Sequence, residues 1–142
     1  DTLRSRGLGD VYKRQILLKK NKILISTRPY PKIFHGYYEF PGGKVSSGEF
    51  LLESLFREIK EELDLEIDLQ KVLFLTNYSI KIRKINLYFF TCTSWKGKTR
   101  AKEGQKFKWV QLSDLKKFKL LRSNQKLLKF IFDSKYLFPA CN

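Results

Sequence analysis

Three glutamates near the middle of the 142-residue chain have a spacing that suits metal chemistry. Glu58, Glu61 and Glu62 stand at i, i+3 and i+4, so on a helix their carboxylates project from one side, about one turn apart. Two carboxylates roughly 6 Å apart repel by about 3 kcal/mol at an effective dielectric near 20, which a nearby cation would offset. One interpretation is a metal site, because clustered carboxylate oxygens suit Mg²⁺ or Mn²⁺, which also bind phosphates. The other is an ordinary solvated surface, as on most glutamate-rich helical faces. The spacing alone leaves both interpretations open.

An amphipathic helix is predicted to carry these glutamates over residues 49–63. Its apolar positions recur with helical spacing and are Leu51, Leu52, Leu55, Phe56, Ile59 and Leu63. Pro41, Gly42 and Gly43 precede it, and Ser47 is the predicted N-cap.

The remaining elements predict a layered domain. Strands are predicted at 16–18, 23–27, 71–80, 85–93 and 106–110, a loop at 28–38, a short helix at 113–118 and a last helix at 123–134. Strands mixed with two substantial helices favour an α/β architecture. The length suits one domain, and the sequence has no internal repeat and no linker.

Residues 1–15 are predicted to lie outside the native domain. The chain contains no Met, and residues 7–15 (GLGDVYKRQ) have the pattern of neither a strand, a helix nor a signal peptide. A back-translation of residues 10–15 resembles the transposon end used in sequencing adaptors, so we hypothesise that residues 1–15 are translated adaptor sequence. This hypothesis predicts a single domain over 16–142 with a truncated first strand. A genuine basic arm is the alternative.

The charge is distributed unevenly along the chain. The sequence has 29 Lys and Arg against 14 Asp and Glu, a net charge of +15, and without residues 1–15 the net charge is +13. Residues 39–68 contain nine acidic and only three basic residues. The net charge of this window is therefore −6, and that of the rest of the predicted domain is +19. An acidic region inside a basic protein indicates a role for cations, and the basic remainder would help to gather polyphosphates.

The segment that contains the glutamates resembles the Nudix box, G-x5-E-x7-R-E-U-x-E-E-x-G-U with U aliphatic. Residues 43–65 match eight of its nine defined positions, and the exception is Asp64 in place of the late Gly. That Gly ends the helix in a left-handed conformation, which Asp also adopts at a cost of about 1 kcal/mol. Residues 39–44 (EFPGGK), 95–97 and 102–109 are similar to the MutT branch of the family. The likeness covers about residues 16–134.

The resemblance implies a fold and a reaction. The fold would be an α/β/α sandwich with a mixed sheet flanked by helices, and water would hydrolyse a nucleoside triphosphate to a monophosphate and pyrophosphate. The implied ligands of Mg²⁺, or of Mn²⁺, are the backbone carbonyl of Gly43 and the carboxylates of Glu58, Glu61, Glu62 and Glu103. Glu58 or Glu103 would accept the proton of the water.

Supporting residues follow from the same resemblance. Arg57 would pair with Glu49 or with a catalytic carboxylate and orient it, and an ordinary helix ion pair is the alternative. The implied substrate-binding residues are Arg28, Glu39, Phe40, Lys44 and Asn124. An Asn amide offers a donor beside an acceptor, so Asn124 could distinguish oxidised from normal guanine by about 1–3 kcal/mol. Asn124 could instead be a helix cap.

Oxidised dGTP is the leading predicted substrate, which indicates a role in nucleotide-pool sanitation and DNA repair. CTP, another triphosphate and dihydroneopterin triphosphate remain alternatives, because few residues read the base. A nucleic-acid-binding module is a further alternative, suggested by the basic charge and by Phe107 and Trp109. The acidic window opposes that reading.

Cellular context is predicted from what the composition excludes. No apolar run approaches the roughly 20 residues of a spanning helix. Two cysteines, Cys92 and Cys141, are too few for a disulfide framework or a zinc site. We therefore expect a cytoplasmic monomer or weak homodimer without a membrane or a stable nucleic-acid partner.

Overall fold

The computed structural model describes residues 10–28, 33–102 and 105–133, with side chains through Leu128. The strands are β1 (Asp10–Lys19), β2 (Lys22–Thr27), β3 (Tyr38–Glu39), β4 (Gly42–Lys44), β5 (Glu66–Ile67), β6 (Val72–Ile80), β7 (Ile85–Cys92), β8 (Trp95–Lys96) and β9 (Phe107–Gln111). The α-helices are α1 (Leu51–Leu63) and α2 (Arg122–Asp133), and 3-10 helices cover Leu69–Lys71, Lys81–Arg83 and Leu112–Lys117. Within the described ranges, no helix is long and apolar enough to cross a membrane.

A mixed sheet forms the centre of the molecule. Its strand order is β3-β2-β1-β7-β6, with β4 paired to β1 and β9 paired to β2. β1 and β7 are parallel, and the other pairs in this sheet are antiparallel. β5 and β8 form a separate antiparallel pair.

Helices cover both faces of the sheet. Successive side chains of a strand point to opposite faces, so apolar residues at neighbouring positions need a helix packed on each side. In β1, Ile16 and Leu18 enter the core that contains Leu127 of α2, whereas Leu17 enters the core that contains Leu55 of α1. This layering confirms the α/β/α sandwich.

The first strand begins earlier than the sequence predicts. Residues 10–17 pair in parallel with residues 85–92, and residues 12–14 pair with β4. The structure thus places residues 10–15 in the first strand, and the boundary of the native domain at residue 16 stays a prediction. The polar pattern of residues 10–15 gave no strand signal, because this segment is stabilised by distant strands on both edges. Its origin in an adaptor stays a prediction, which the codons of the underlying DNA would test.

The first long helix has the predicted position with a different cap. α1 begins after Phe50, whose N–H donates to Glu53 Oε1 at 3.0 Å, so the predicted cap at Ser47 is wrong. The helix ends at Asp64, which has φ of 60° and ψ of 33°, as expected for the residue that replaces Gly. Leu51, Leu55, Ile59 and Leu63 are buried, and each contributes about 1.5–3 kcal/mol.

The other long elements agree with the predicted ones to within a few residues. β6, β7 and β9 lie at the three predicted strands, and α2 begins at Arg122, one residue before the prediction. The predicted short helix at 113–118 is the 3-10 helix Leu112–Lys117. The two- and three-residue strands β3, β4, β5 and β8 were not predicted, because their pairing partners rather than their own residues define them.

Candidate functional site

The carboxylate of Glu58 packs directly against the backbone of Gly43. A Cβ atom added at Gly43 would lie 2.8 Å from Glu58 Oε1, closer than Cβ atoms come to non-bonded neighbours. β4 is held at this point by pairing with β1, where Lys13 stands opposite Gly43. The Glu58 side chain is 17% exposed. A glycine at position 43 therefore leaves the space that this carboxylate occupies.

Glu58, Glu61 and Glu62 differ in exposure along α1: Glu62 is buried, Glu58 is partly buried and Glu61 is exposed. Glu62 follows Glu58 by about one helical turn and is 7% exposed. Glu61 has half of its side chain exposed and accepts a hydrogen bond from Arg57 Nη1 at 3.2 Å. Glu58 and Glu62 thus form the inner acidic pair, and Glu61 lies at its rim.

Arg57 links the start of the α1 segment to this acidic face. Its Nε donates to Glu49 Oε2 at 2.7 Å and its Nη2 donates to Glu49 Oε1 at 3.0 Å. Its Nη1 lies 3.7 Å from Glu58 Oε1. The hydrogen bonds from the guanidinium lower the pKa of Glu49 to about 2, and they raise the pKa of Arg57. The structure contains the predicted Arg57–Glu49 pair, and the guanidinium also contacts the carboxylates of Glu58 and Glu61.

A buried lysine lies beside the same carboxylate. Lys13 Nζ is 3.4 Å from Glu58 Oε1 and donates a hydrogen bond to the carbonyl oxygen of Lys44 at 3.1 Å. Its side chain is fully buried. Burial lowers the pKa of Lys13, and the nearby Glu58 carboxylate acts in the opposite direction. A cation therefore already stands between α1 and β4.

Two arginines share one carboxylate on the other face of the sheet. Glu39 Oε1 lies 3.2 Å from Arg14 Nη2 and 3.3 Å from Arg28 Nη1. Arg14 Nη1 also donates to the carbonyl of Phe40 at 3.2 Å, and Arg28 Nε donates to the carbonyl of Ile33 at 2.9 Å. These contacts hold the β3–β4 connection against β1 and β2.

Asn124 fastens the same connection to α2. Its Oδ1 accepts the backbone N–H of Phe40 at 3.0 Å, and its Nδ2 donates to Ser123 Oγ at 3.1 Å. Asn124 is 1% exposed and Phe40 is fully buried. The alternative that Asn124 caps the helix is wrong, because α2 begins at Arg122 and the side chain bonds to β3–β4 instead.

The predicted substrate-binding residues are only partly gathered. Arg28, Glu39, Phe40 and Asn124 are joined through the contacts above. Lys44 is separate, since its side chain is 56% exposed and pairs with Asp10 at 3.2 Å. The ring of Phe40 belongs to the core, so a contact of this ring with a base stays a prediction.

Comparison with known proteins identifies the family to which this chain belongs. The family model described as "NUDIX domain" matches residues 15–130. The chain belongs to the Nudix family. The matched range contains α1, β4 and all the residues of the acidic face except Lys13, which precedes it.

Nudix relatives with curated names agree with this assignment. The chain is 42% identical over 113 residues to a protein named 8-oxo-dGTP diphosphatase of Buchnera aphidicola from Schizaphis graminum, covering 80% of this chain and 85% of the relative. It is 27% identical over 125 residues to a protein named CTP pyrophosphohydrolase of Escherichia coli K12, covering 88% and 93%. A solved MutT structure, from work on the Aliivibrio salmonicida and Vibrio cholerae proteins, has a TM-score of 0.74 at 25% identity and covers 87% of this chain and 94% of that one.

Nudix hydrolases generally use divalent metal ions, and the donors present here fit such an ion. The inner pair supplies carboxylate oxygens, Gly43 lacks the Cβ that would fill the space beside Glu58, and an ammonium has already been attracted to this point. Within the described ranges, no three His, Cys, Asp or Glu side chains converge closely enough to hold an ion by themselves. Glu103, the remaining predicted acidic ligand, lies outside the described residues.

The sequence did not predict two residues that contact the candidate site, Lys13 and Arg14. Both lie in residues 1–15, which are predicted to be adaptor sequence, and their side chains point to opposite faces of β1. The signal that could have found them is the apolar run at 16–18. Extending this run backwards with a period of two places residues 13 and 15 on one face and residue 14 on the other.

Proposed function

We propose that this chain is a Mg²⁺-dependent nucleoside triphosphate pyrophosphohydrolase that acts on 8-oxo-dGTP, with Mn²⁺ as the alternative ion. The observation that carries the proposal is the contact of the Glu58 carboxylate with Gly43 inside a matched Nudix segment. The 42% identity to a protein named 8-oxo-dGTP diphosphatase supports the substrate.

The proposed metal ligands are oxygens from α1, from β4 and from the segment after β8. They are the backbone carbonyl of Gly43 and the carboxylates of Glu58, Glu61, Glu62 and Glu103. When bound there, divalent ions offset the charge of the triphosphate and lower the pKa of a bound water. The i+4 spacing of Glu58 and Glu62 supports this set, because both carboxylates lie on the buried side of α1.

The proposed reaction is attack of water on the β-phosphorus. The water oxygen forms a bond to the phosphorus as the bond to the α-phosphate oxygen breaks, which gives the nucleoside monophosphate and pyrophosphate. A carboxylate oxygen of Glu58 or Glu103 accepts the proton of the attacking water. Arg57 orients Glu58 and Glu61 while Glu49 fixes the guanidinium through two hydrogen bonds.

The proposed base site lies around the β3–β4 connection. Arg28, Glu39, Phe40 and Asn124 are mutually connected there, and Lys44 extends from the end of the same segment. Oxidised guanine carries an N–H donor where normal guanine has the N7 acceptor, so a buried polar partner left unpaired would cost about 1–3 kcal/mol. Such a difference supports selection of the oxidised base.

CTP is the second candidate substrate. The relative named CTP pyrophosphohydrolase supports it, because the match covers 88% of this chain, although at lower identity. The same metal site would serve both substrates, since it contacts phosphates rather than the base. We further propose a role in nucleotide-pool sanitation by a cytoplasmic monomer or weak homodimer.

Pyrophosphate release from 8-oxo-dGTP, dGTP, CTP and dCTP tests the proposal. We expect release that requires Mg²⁺ or Mn²⁺, with the highest kcat/KM for 8-oxo-dGTP. A higher kcat/KM for CTP would reject the base assignment and keep the reaction. No release from any nucleotide, together with salt-dependent binding of duplex DNA, would instead favour the nucleic-acid-binding alternative.

A further inference from the structure

Phe34 combines an exposed aromatic ring with a left-handed backbone. The residue is 51% exposed, and its φ is 61°. A bulky residue rarely adopts this conformation because it costs free energy, and an exposed ring recovers little of that cost by burial. Among the non-glycine residues with positive φ in the described ranges, Phe34 is the only apolar one. Strain at an exposed position indicates a function for this side chain.

The turn that carries Phe34 is fastened to Arg28, a residue of the proposed base site. The backbone N–H of Tyr37 donates to the carbonyl of Phe34 at 3.1 Å, and the N–H of Arg28 donates to the carbonyl of Tyr37 at 2.9 Å. The Arg28 side chain donates from Nε to the carbonyl of Ile33 at 2.9 Å and from Nη1 to Glu39 Oε1 at 3.3 Å. One guanidinium thus joins the residue before Phe34 to the carboxylate of the base site.

Tyr37 orients the ring of Phe34. The two rings meet edge to face, with their centroids 5.7 Å apart and their planes at 66°. The ring of Tyr37 is itself held by Lys119, whose Nζ lies 5.3 Å from the ring centroid. An edge-to-face contact covers at most one side of a ring, so the exposed half of Phe34 includes surface that a flat ligand can reach.

The residues assigned to the proposed base site suit the edge of a base better than its face. Arg28, Glu39 and Asn124 present polar groups, which recognise donors and acceptors on the edge. The ring of Phe40 is fully buried in the core and offers no exposed face. Nucleotide bases also have two flat π faces, on which aromatic side chains stack. The exposed ring of Phe34, beside Arg28, can supply such a surface.

We propose that Phe34 is a further base-binding residue: its exposed ring stacks on the face of the nucleotide base, while the polar groups of the base site contact the edge of the base. The proposal rests on the proposed function, because it uses the same base site. Stacking depends on the area of the base and not on its edge atoms. Phe34 therefore raises the affinity for every base, and more for purines than for pyrimidines, without selecting the oxidised one.

Isothermal titration calorimetry with nucleoside monophosphates tests the stacking independently of catalysis. 8-oxo-dGMP, dGMP and dCMP are titrated into the full chain and into Phe34→Leu, Phe34→Tyr and Phe74→Leu. Phe34→Leu removes the ring and keeps an apolar side chain, whereas Phe34→Tyr keeps the ring. Phe74→Leu is the matched control, because Phe74 is 56% exposed and lies on β6, at the other edge of the sheet from β3.

We expect Phe34→Leu to bind 8-oxo-dGMP at least about fivefold more weakly than the unchanged chain. The loss should be similar for dGMP and smaller for dCMP. Phe34→Tyr and Phe74→Leu should stay within about twofold of the unchanged chain for all three ligands. Unchanged affinity in Phe34→Leu would overturn the proposal, as would an equal loss in Phe74→Leu. A changed ratio of 8-oxo-dGMP to dGMP affinity would also overturn it, because stacking does not read the edge.

Phe34→Gly tests the backbone strain separately. Glycine adopts a φ of 61° without steric cost, so the midpoint of urea denaturation should not fall below that of the unchanged chain. The affinity for 8-oxo-dGMP should fall in the same variant, because the ring is lost. A lower midpoint with unchanged affinity would make Phe34 a structural residue of the turn and overturn the proposal.

These measurements separate the stacking from the proposed function. If the unchanged chain binds none of the monophosphates and releases no pyrophosphate from any triphosphate, the proposed function is wrong and the stacking fails with it. If the unchanged chain and Phe34→Leu bind 8-oxo-dGMP with the same affinity, the base site stands and only the role of Phe34 is rejected.

Discussion

Asn124 and Phe40, 84 residues apart in the sequence, are joined by a buried hydrogen bond from the Phe40 backbone N–H to Asn124 Oδ1. This bond connects the third residue of α2 to the strand connection that precedes the Nudix segment. Because the N–H has no place in a strand ladder at this point, the side chain of Asn124 replaces the partner that a sheet would supply. The position of the proposed base site thus depends on α2.

Asn124→Ala should destabilise the fold and weaken base selection together. The substitution leaves the Phe40 N–H buried without its acceptor, which costs about 1–3 kcal/mol. Urea denaturation measures the free energy of unfolding, and pyrophosphate release measures the ratio of kcat/KM for 8-oxo-dGTP and dGTP. Ser123→Ala is the control, because it removes only the partner of Asn124 Nδ2 and should cost less than about 1 kcal/mol. An unchanged substrate ratio in Asn124→Ala would limit Asn124 to a structural role.

Glu62→Gln should lower kcat by at least about 10²-fold. Glu62 is the buried glutamate on α1, and the amide replaces an anionic oxygen with a neutral group that binds metal poorly. Steady-state pyrophosphate release over a range of Mg²⁺ concentrations provides the measurement. Glu66→Gln is the matched control, since Glu66 is exposed and lies beyond the helix. Full activity in Glu62→Gln would refute the assigned site.

Gly43→Ala should impair activity more than stability. The new Cβ would lie 2.8 Å from Glu58 Oε1, so the flexible carboxylate has to move while the backbone stays in place. We expect kcat to fall at least about tenfold and the free energy of unfolding to change by less than about 1 kcal/mol.

Gly42→Ala provides the contrasting variant. A Cβ there would overlap the carbonyl oxygen of Lys13, which belongs to the backbone of β1 and cannot move aside cheaply. This variant should lose more than about 2 kcal/mol of stability. Equal losses of stability in the two variants, by urea denaturation, would contradict the distinction.

Acid should weaken the contribution of the Glu49–Arg57 pair. The guanidinium lowers the pKa of Glu49 from an ordinary value of 4.5 to about 2, so the folded state holds the carboxylate ionised where the unfolded chain would bind a proton. The resulting stability is fully present above about pH 4.5 and is lost as the pH falls towards 2. After allowance for solvent screening at this partly exposed pair, we expect a contribution of about 1–2 kcal/mol.

Urea denaturation of the unchanged chain and of Glu49→Gln at several pH values between 2.5 and 6 would measure this contribution, with about 0.5 pH unit between points. The difference between the two proteins should shrink as the pH falls. Parallel curves would show that the pair does not contribute to the acid sensitivity.

The helix end at Asp64 predicts an ordered series of stabilities. Its φ of 60° is favourable for Gly, tolerated by Asp and unfavourable for Ala. Asp64→Ala should therefore melt lower than Asp64→Gly by about 4 °C, in a calorimetric scan of both variants. Both variants lose the ion pairs that Asp64 makes with Lys60 and Lys102, so this comparison isolates the backbone term. Equal melting temperatures would show that the left-handed conformation carries no cost here.

The acidic face of α1 was predictable, because residues close together in the sequence determine it. The periodicity of Leu55, Ile59 and Leu63 defined the helix, and the spacing of Glu58 and Glu62 then placed two carboxylates on its buried side. The pairing of Arg57 with Glu49 and the left-handed Asp64 followed from the resemblance of the same segment to the Nudix box.

The positions of the residues around β1 were not predictable, because contacts with distant parts of the chain determine them. Lys13 and Arg14 have no local strand signal, and their positions depend on pairing with β4 and β7, about 30 and 75 residues further along the chain. The hydrogen bond between Asn124 and Phe40 is non-local for the same reason. The helix cap also differed, since Glu53 reaching back to Phe50 made a Ser cap unnecessary.

The alternation of β1 places two cations of one short segment on opposite faces of the sheet. Lys13 contacts the proposed catalytic carboxylate, and its neighbour Arg14 contacts the carboxylate of the proposed base site. Because the two side chains never share a face, a substitution at one of these positions leaves the contacts of the other in place. Deleting or inserting one residue between position 14 and the apolar run at 16–18 would instead exchange the two faces, and would break both sets of contacts in a single step.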